Sequence, residues 1–310
     1  MTTISLISTS LPMAFRNLLR PLGELRVPGE YSGDLFAGAR VVVSTSLDPV
    51  GADFISGLPD SVGLLANVGV GTDNIDLRAA TARGIAVSNT PVVTEDTADL
   101  AMALLLATCR RLPDGERILR AGSFAAAQKR PGSRVHGKSL GIVGLGSIGQ
   151  AMARRARGFS MPVRYWGPRR KPEVEQSTGA EWCPTLTDLL NRCDIVSLHC
   201  PLTAQTRHII NCDTLAAFKP GAVLINTGRG ALIDETSLIS ALRDGTLGAA
   251  GLDVFEFEPL VPPALLELDN VVLLPHIGGL TVECRSDMAR RVYANIEHFL
   301  TEGVPLDPVI

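Results

Sequence analysis

From residue 139 onward, short apolar runs recur, with helical patterns between most of them. The runs are Leu140–Val143, Val163–Trp166, Ile195–Leu198, 222–225, Ala249–Leu252 and Val271–Leu273. Each is of strand length and apolar almost throughout, without the alternation of a half-wet strand. Such strands are buried on both faces, and strands separated by helices pair in parallel. This pattern fixes the fold class as α/β, a doubly wound parallel sheet with helices on both faces.

The N-terminal part repeats the pattern on a smaller scale. "ARVVVSTS", "GLLANVG" and "GIAVSNT" read as strands, and "NIDLRAATARG" has helical spacing and stops at Gly84, a fitting C-terminal cap. Residues 1–91 therefore read as a small α/β unit. Next comes "TPVVTEDTADLAMALLLATCRRL", a helix capped by Thr94, with Glu95 and Asp96 in its first turn and Arg110 and Arg111 at its end. It is apolar almost all round and is expected to be buried between layers or subunits. Residues 121–137 have no clear period and read as a connecting arm. A last helix over 281–300 can return to the first unit and make that unit discontinuous.

Several function classes are disfavoured by composition. The formal net charge is −3 over 310 residues, so nucleic-acid and membrane-surface roles, which usually need a basic face, are not expected. The longest apolar segment, 100–107, is too short to span a bilayer. No basic start precedes a long apolar run, so no signal peptide is expected. Six cysteines are scattered without a CxxC pair; Cys193, Cys200 and Cys212 lie near apolar segments and are expected to pack as small hydrophobes. These features imply a reducing, cytoplasmic compartment and no metal site.

The chemistry starts at Gly144-Leu145-Gly146-Ser147-Ile148-Gly149. This GxGxxG directly follows one strand and directly opens a helix, the context in which glycines let backbone approach a pyrophosphate at a helix N-terminus. An NAD site often carries a carboxylate about 20 residues on, for the ribose 2′-hydroxyl. Here the second strand ends in Tyr165-Trp166, and Gly-Pro-Arg169-Arg170-Lys171 follows, with no carboxylate before Glu173. Arginines there fit a 2′-phosphate, so NADP(H) is the preferred cofactor, with NAD(H) a second possibility.

Three polar residues then appear just after later strands: Arg229 in "LINTGRGALIDE", Glu258 in "AAGLDVFEFEPL", and His276 in "NVVLLPHIGGLT". Open parallel sheets bind ligands at the carboxyl ends of their strands, so these three can converge although 29 and 18 residues separate them.

With "VGVGTDNIDL", "RGIAVSNTP", "TADLAMALLLATCRR", "GIVGLGSIG", "HCPLT", "INTGRG", "DVFEFEP" and "PHIGG" in order, the chain resembles the D-isomer-specific 2-hydroxyacid dehydrogenase family. The resemblance covers nearly the whole chain and is closest to glyoxylate/hydroxypyruvate reductases. It implies two Rossmann/flavodoxin-like domains with an interdomain cleft, one of 1–92 plus 284–310 for substrate and an inserted NADP-binding one of 93–283. It also implies a homodimer and a small 2-keto or 2-hydroxy acid as substrate.

The family roles fall on residues that suit them. Arg229 would bind the substrate, His276 would be general acid and base, and Glu258 would favour the charged imidazolium. Val70, Gly71, Ser46 and Leu47 would form the substrate loops. The cofactor would be lined by the glycine turn, Trp166, Arg169, Arg170, Thr97, Cys200, Pro201, Thr206, Thr227, Gly228, Arg229, Asp253, His276 and Gly278. Two departures stand out. Pro168 replaces the usual arginine nearer the strand end. Phe124 followed by three alanines stands where many relatives carry Trp, which would admit bulkier acids such as 2-ketogluconate or phenylpyruvate. A non-enzymatic nucleotide-sensing corepressor on the same scaffold is the alternative of another class.

Overall fold

The computed structural model describes residues 2–9 and 11–310. The chain forms two compact units. The first runs to Val93 and resumes over Gly279–Ile310; the second is Thr94–Gly278. The family resemblance implies junctions at 92/93 and 283/284. The second junction moves because Thr281, whose hydroxyl accepts the Cys284 N–H at 3.0 Å, caps the helix Val282–Glu302. That whole helix, with its cap, belongs to the first unit.

The first unit holds β1 (Thr3–Leu6), β2 (Glu24–Arg26), β3 (Val41–Thr45), β4 (Leu64–Val68) and β5 (Ala86–Ser88). All pair in parallel, in the order β2-β1-β3-β4-β5, with Ile4 opposite Val41, Val41 opposite Leu64 and Leu64 opposite Ala86. The strands form because β-branched and aliphatic residues fill both faces: Val41, Val42, Leu64 and Leu65 are wholly buried. Val282–Glu302 covers one face, its Met288, Val292, Ile296 and Phe299 packing with Leu6, Val43 and Leu64. The helix Leu77–Ala82 ends at Arg83, and Gly84 follows at φ +66°, the left-handed conformation that ends helices.

The second unit holds β6 (Leu140–Val143), β7 (Val163–Trp166), β8 (Glu181–Trp182), β9 (Ile195–Leu198), β10 (Val223–Asn226), β11 (Ala249–Leu252) and β12 (Val271–Leu273). Their order is β12-β11-β10-β9-β6-β7-β8, again all parallel, so strand order reverses between β6 and β9. Ligands bind beyond the carboxyl ends of strands at such a switch point. The helix Thr94–Arg110 lies on this sheet. It approaches so closely that a Cβ on Gly251 of β11 would fall 2.6 Å from the Thr108 hydroxyl.

The structure revises four readings. The strand expected over 222–225 is shifted one residue, because Asn226 completes the ladder opposite Leu198 and Leu252. Thr94 is the first helical residue. The arm of 121–137 contains a short helix, Phe124–Ala127, after the helix Leu112–Arg120, and neither buries a residue. Cys212 is exposed at the start of the helix Cys212–Leu215, whereas Cys193 and Cys200 are buried. Among the described residues no helix is long and apolar enough to cross a membrane.

Candidate active site

In the second unit the glycine turn leaves β6 with Gly144 at φ +95°. A Cβ there would sit 2.6 Å from the Cys200 amide nitrogen, and one on Gly149 would sit 2.3 Å from the Gly144 carbonyl. Both positions therefore require glycine: the first lets the turn lie against the end of β9, the second lets the helix start against the turn. At Gly146 nothing lies within 4 Å of an added Cβ, so that side of the turn is open. The helix Ser147–Arg157 starts from Gly146 without a side-chain cap, and its first N–H groups face an anion-binding position. Trp166 belongs to the same turn, its carbonyl accepting the Gly144 N–H at 2.9 Å.

Around that turn the other expected cofactor residues have definite places. Thr206 staples the segment after β9, its hydroxyl donating to the Pro201 carbonyl at 2.7 Å and accepting the Thr203 N–H at 2.8 Å. Burial pushes the Cys200 thiol up to about 11, so it stays a neutral wall. Thr227, just after β10, has a buried hydroxyl oxygen with no hydrogen-bond partner among the described residues. An orphaned hydroxyl beside an open glycine turn fits a polar ligand such as a dinucleotide. His199 is uncharged at neutral pH: burial holds it down to about 4, and its Nε2 pairs with the Ser197 hydroxyl at 2.9 Å.

The cations after β7 are not equivalent. Arg170 grips Glu175 with two nitrogens, at 3.0 and 2.9 Å. The Tyr165 hydroxyl donates to the same carboxylate at 2.8 Å and accepts the Lys171 N–H at 2.7 Å. The Lys171 ammonium turns back to the Leu145 carbonyl inside the glycine turn, at 3.0 Å. Arg169 is exposed and makes no hydrogen bond or ion pair among the described residues. Thus Arg170 braces the loop, Lys171 ties it to the turn, and Arg169 is the open guanidinium.

Arg229, Glu258 and His276 follow β10, β11 and β12. The His276 Nδ1 lies 2.7 Å from Glu258 Oε2. Burial acts to raise the Glu258 carboxyl. The hydrogen bond and charge of His276, the Phe255 N–H at 2.9 Å and the charge of Arg229 outweigh it, so Glu258 titrates below the ordinary range. An ionised Glu258 fixes Nδ1 as a donor and leaves Nε2 as the working nitrogen. His276 sits at φ +55°, a strained backbone for a non-glycine residue. Asp253, fully buried, holds it there: its carbonyl accepts the His276 N–H, and its carboxylate accepts the Ile277 and Gly278 N–H at 2.8 and 2.9 Å. Burial, the larger effect, raises Asp253 despite those two donors. Thr97 completes the corner, donating to the Gly278 carbonyl at 3.4 Å.

The Arg229 turn is built by Asn226, which is wholly buried. Its Nδ2 donates to the Arg229 carbonyl at 2.8 Å and its Oδ1 accepts the Gly228 N–H at 3.0 Å. Gly230 lies directly on the backbone before Glu258: an added Cβ would fall 1.8 Å from the Phe255 carbonyl carbon. The sequence motifs assign no role to Asn226, Gly230 or Glu175. Asn226 left one signal, an Asn ending an otherwise apolar strand, where Asn is disfavoured.

In the first unit the loop after β4 has its own order. Gly69 takes φ +131°, with Ser46 of the neighbouring loop 3.7 Å from the position of its missing Cβ. Leu47 is 67% exposed beside it. The Gly69 N–H is bound by the Thr90 hydroxyl at 2.8 Å, whereas the N–H groups of Val70, Gly71 and Thr72 have no acceptor among the described residues. Successive open N–H groups make an anion-binding concavity.

Comparison with known proteins decides the family. The profile of "D-isomer specific 2-hydroxyacid dehydrogenase, NAD binding domain" matches residues 102–278. The chain belongs to the D-isomer-specific 2-hydroxyacid dehydrogenase family. Within this family it is similar to a glyoxylate reductase of Thermococcus litoralis, 45% identical over 271 residues, covering 85% of this chain and 81% of the relative. It is also similar to a hydroxyphenylpyruvate reductase of Plectranthus scutellarioides, 42% identical over 272 residues, covering 87% and 85%. Among solved structures, the NADPH-dependent glyoxylate/hydroxypyruvate reductase of Sinorhizobium meliloti, in complex with NADP and malonate, superposes with a TM-score of 0.90 at 35% identity, covering 99% of this chain and 96% of that one. As a member of this 2-hydroxyacid dehydrogenase family the chain is an oxidoreductase with a nicotinamide-dinucleotide domain.

Proposed function

We propose that this enzyme reduces small 2-keto acids, glyoxylate and hydroxypyruvate, to D-2-hydroxy acids with NADPH. The observation that carries the reading is the His276–Glu258 pair, 2.7 Å apart, on a left-handed backbone pinned by Asp253. A nicotinamide dinucleotide held by its pyrophosphate at the glycine turn would supply the hydride. His276 Nε2 holds the proton that neutralises the carbonyl oxygen, and recovers it in the oxidative direction. Glu258 keeps Nδ1 protonated and the ring oriented. Arg229 takes the substrate carboxylate in its planar fork, and the open N–H groups of Val70 and Gly71 take a carboxylate oxygen. Asp253 and Thr97, which order the backbone of residues 276–278, would form the corner toward the nicotinamide.

The preference for NADPH rests on Arg169, with Arg170 bracing the loop and Lys171 beside the turn. The protein acts as a cytoplasmic homodimer, and the exposed Leu112, Leu119 and Phe124 suit such an interface. A second reading, bulkier 2-keto acids, is favoured by the alanines at 125–127 and by the likeness to a hydroxyphenylpyruvate reductase.

Initial rates with NADPH and NADH against glyoxylate, hydroxypyruvate, phenylpyruvate and 2-ketogluconate test all of this. Fast NADPH oxidation with the two small acids is the expected result. Turnover only with the bulky acids moves the substrate class. Tight cofactor binding without turnover on any acid leaves the corepressor reading. Arg169→Ala should weaken NADPH about 10- to 100-fold, the worth of a charged hydrogen-bonded contact, and spare NADH. Equal losses for both cofactors would sink the assignment of Arg169.

A further inference from the structure

We infer that Asn67 is a positioning residue for substrate: by holding the Gly71 carbonyl it turns the Thr72 N–H outward as a third donor beside those of Val70 and Gly71. The inference rests on the keto-acid reading above and deepens it at the loop after β4.

The argument is one of peptide geometry. In a trans peptide the C=O of one residue points opposite to the N–H of the next. Three successive carbonyls here are each held. The Gly69 carbonyl accepts the Thr90 N–H at 3.0 Å. The Val70 carbonyl accepts Asn89 Nδ2 at 2.8 Å. The Gly71 carbonyl accepts Asn67 Nδ2 at 2.8 Å. Each clamp therefore aims the N–H one residue on: Val70, Gly71 and Thr72 in turn. These three have no intramolecular acceptor among the described residues.

Asn67 suits this task. It is 1% exposed, and a polar side chain in the apolar strand "LLANV" is retained only if its bonds are met. Its Oδ1 accepts the Ser44 hydroxyl at 3.0 Å, with Asn74 Nδ2 farther off at 3.4 Å. Those donors fix which end of the amide is oxygen, so Nδ2 must face Gly71. Asp at this position would keep the size and lose the donor.

The test uses the full-length enzyme with NADPH bound. In wild type, malonate should shift the backbone amide resonances of Val70, Gly71 and Thr72. In Asn67→Ala the Thr72 shift should be lost. KM for glyoxylate should rise about 10- to 100-fold, the worth of one hydrogen bond to a charged group, while kcat changes less than about threefold and the NADPH Kd stays put. Asn67→Asp should be at least as impaired. Ser44→Ala, a smaller cut, should move KM the same way by a few-fold if the larger variants do not fold. A purely structural role would lower melting temperature without that split between KM and kcat. The inference is overturned if Thr72 does not respond to malonate in wild type, or if folded Asn67 or Ser44 variants keep the wild-type KM. If wild type turns over no keto acid yet shows the three shifts, the reaction reading fails and the role of Asn67 stands.

Discussion

His276 combines three features that ordinary core histidines lack: a charged partner, a strained backbone, and a buried carboxylate that fixes the strain. His276→Ala should lower kcat about 10²- to 10⁴-fold with NADPH binding nearly intact, by steady-state kinetics alongside fluorescence titration of the cofactor. A kcat within tenfold of wild type would remove it from the chemistry. Asp194 is a residue of a different kind. Burial opposes its charge, but Lys219 at 2.6 Å and the Ser139 amide and hydroxyl at 2.9 and 2.8 Å hold it down to about 2. A lowered carboxyl stabilises the fold above its unfolded value and loses that contribution as pH falls through the folded one. The full linkage is about 2 kcal/mol, reduced to roughly 1 kcal/mol because Lys219 is 39% exposed. Asp194→Asn should therefore cost about that much near pH 7, and the gap to wild type in urea melts should close between about pH 4 and pH 2.

At the scale of elements, the loops after β10 and β11 act as one body because Gly230 is pressed on the Phe255 carbonyl. Gly230→Ala should push the Arg229 turn away from the segment that carries Glu258. We expect about 1–3 kcal/mol of lost stability or more, and a kcat/KM loss of at least tenfold, read by thermal melts and initial rates. Unchanged kinetics would show that the two loops are independent. How far such elements could be read beforehand depended on the kind of signal. Arg229, Glu258 and His276 stood out as candidates because each follows a strand of a parallel sheet, and the strands themselves were legible as unbroken apolar runs. Asn67, Glu175 and Gly230 were not. Their work is done through carbonyl directions, a loop brace and a backbone contact, which depend on how distant segments meet and leave no periodicity. Cys212 misled because apolar neighbours in sequence say nothing of the side a short helix turns outward.

At the scale of the whole molecule, the first unit is made from both ends of the described chain. The helix Val282–Glu302 brings Met288, Val292, Ile296 and Phe299 onto the first sheet. Four large apolar side chains are worth on the order of 6–12 kcal/mol of burial, comparable with the stability of a typical domain. A chain cut after Gly279 should keep the second unit folded and binding NADPH, by calorimetry, while the first unit loses protection from hydrogen exchange. Retained protection throughout β3 and β4 would contradict this. The same arrangement orders events on the ribosome. The strands of the first sheet emerge before the inserted unit, and their covering helix emerges only after it. The inserted unit, uninterrupted from Thr94 to Gly278, can close its own sheet in the meantime. During synthesis the apolar strands β3 and β4 would stand uncovered, and this interval is where a chaperone would find the nascent chain.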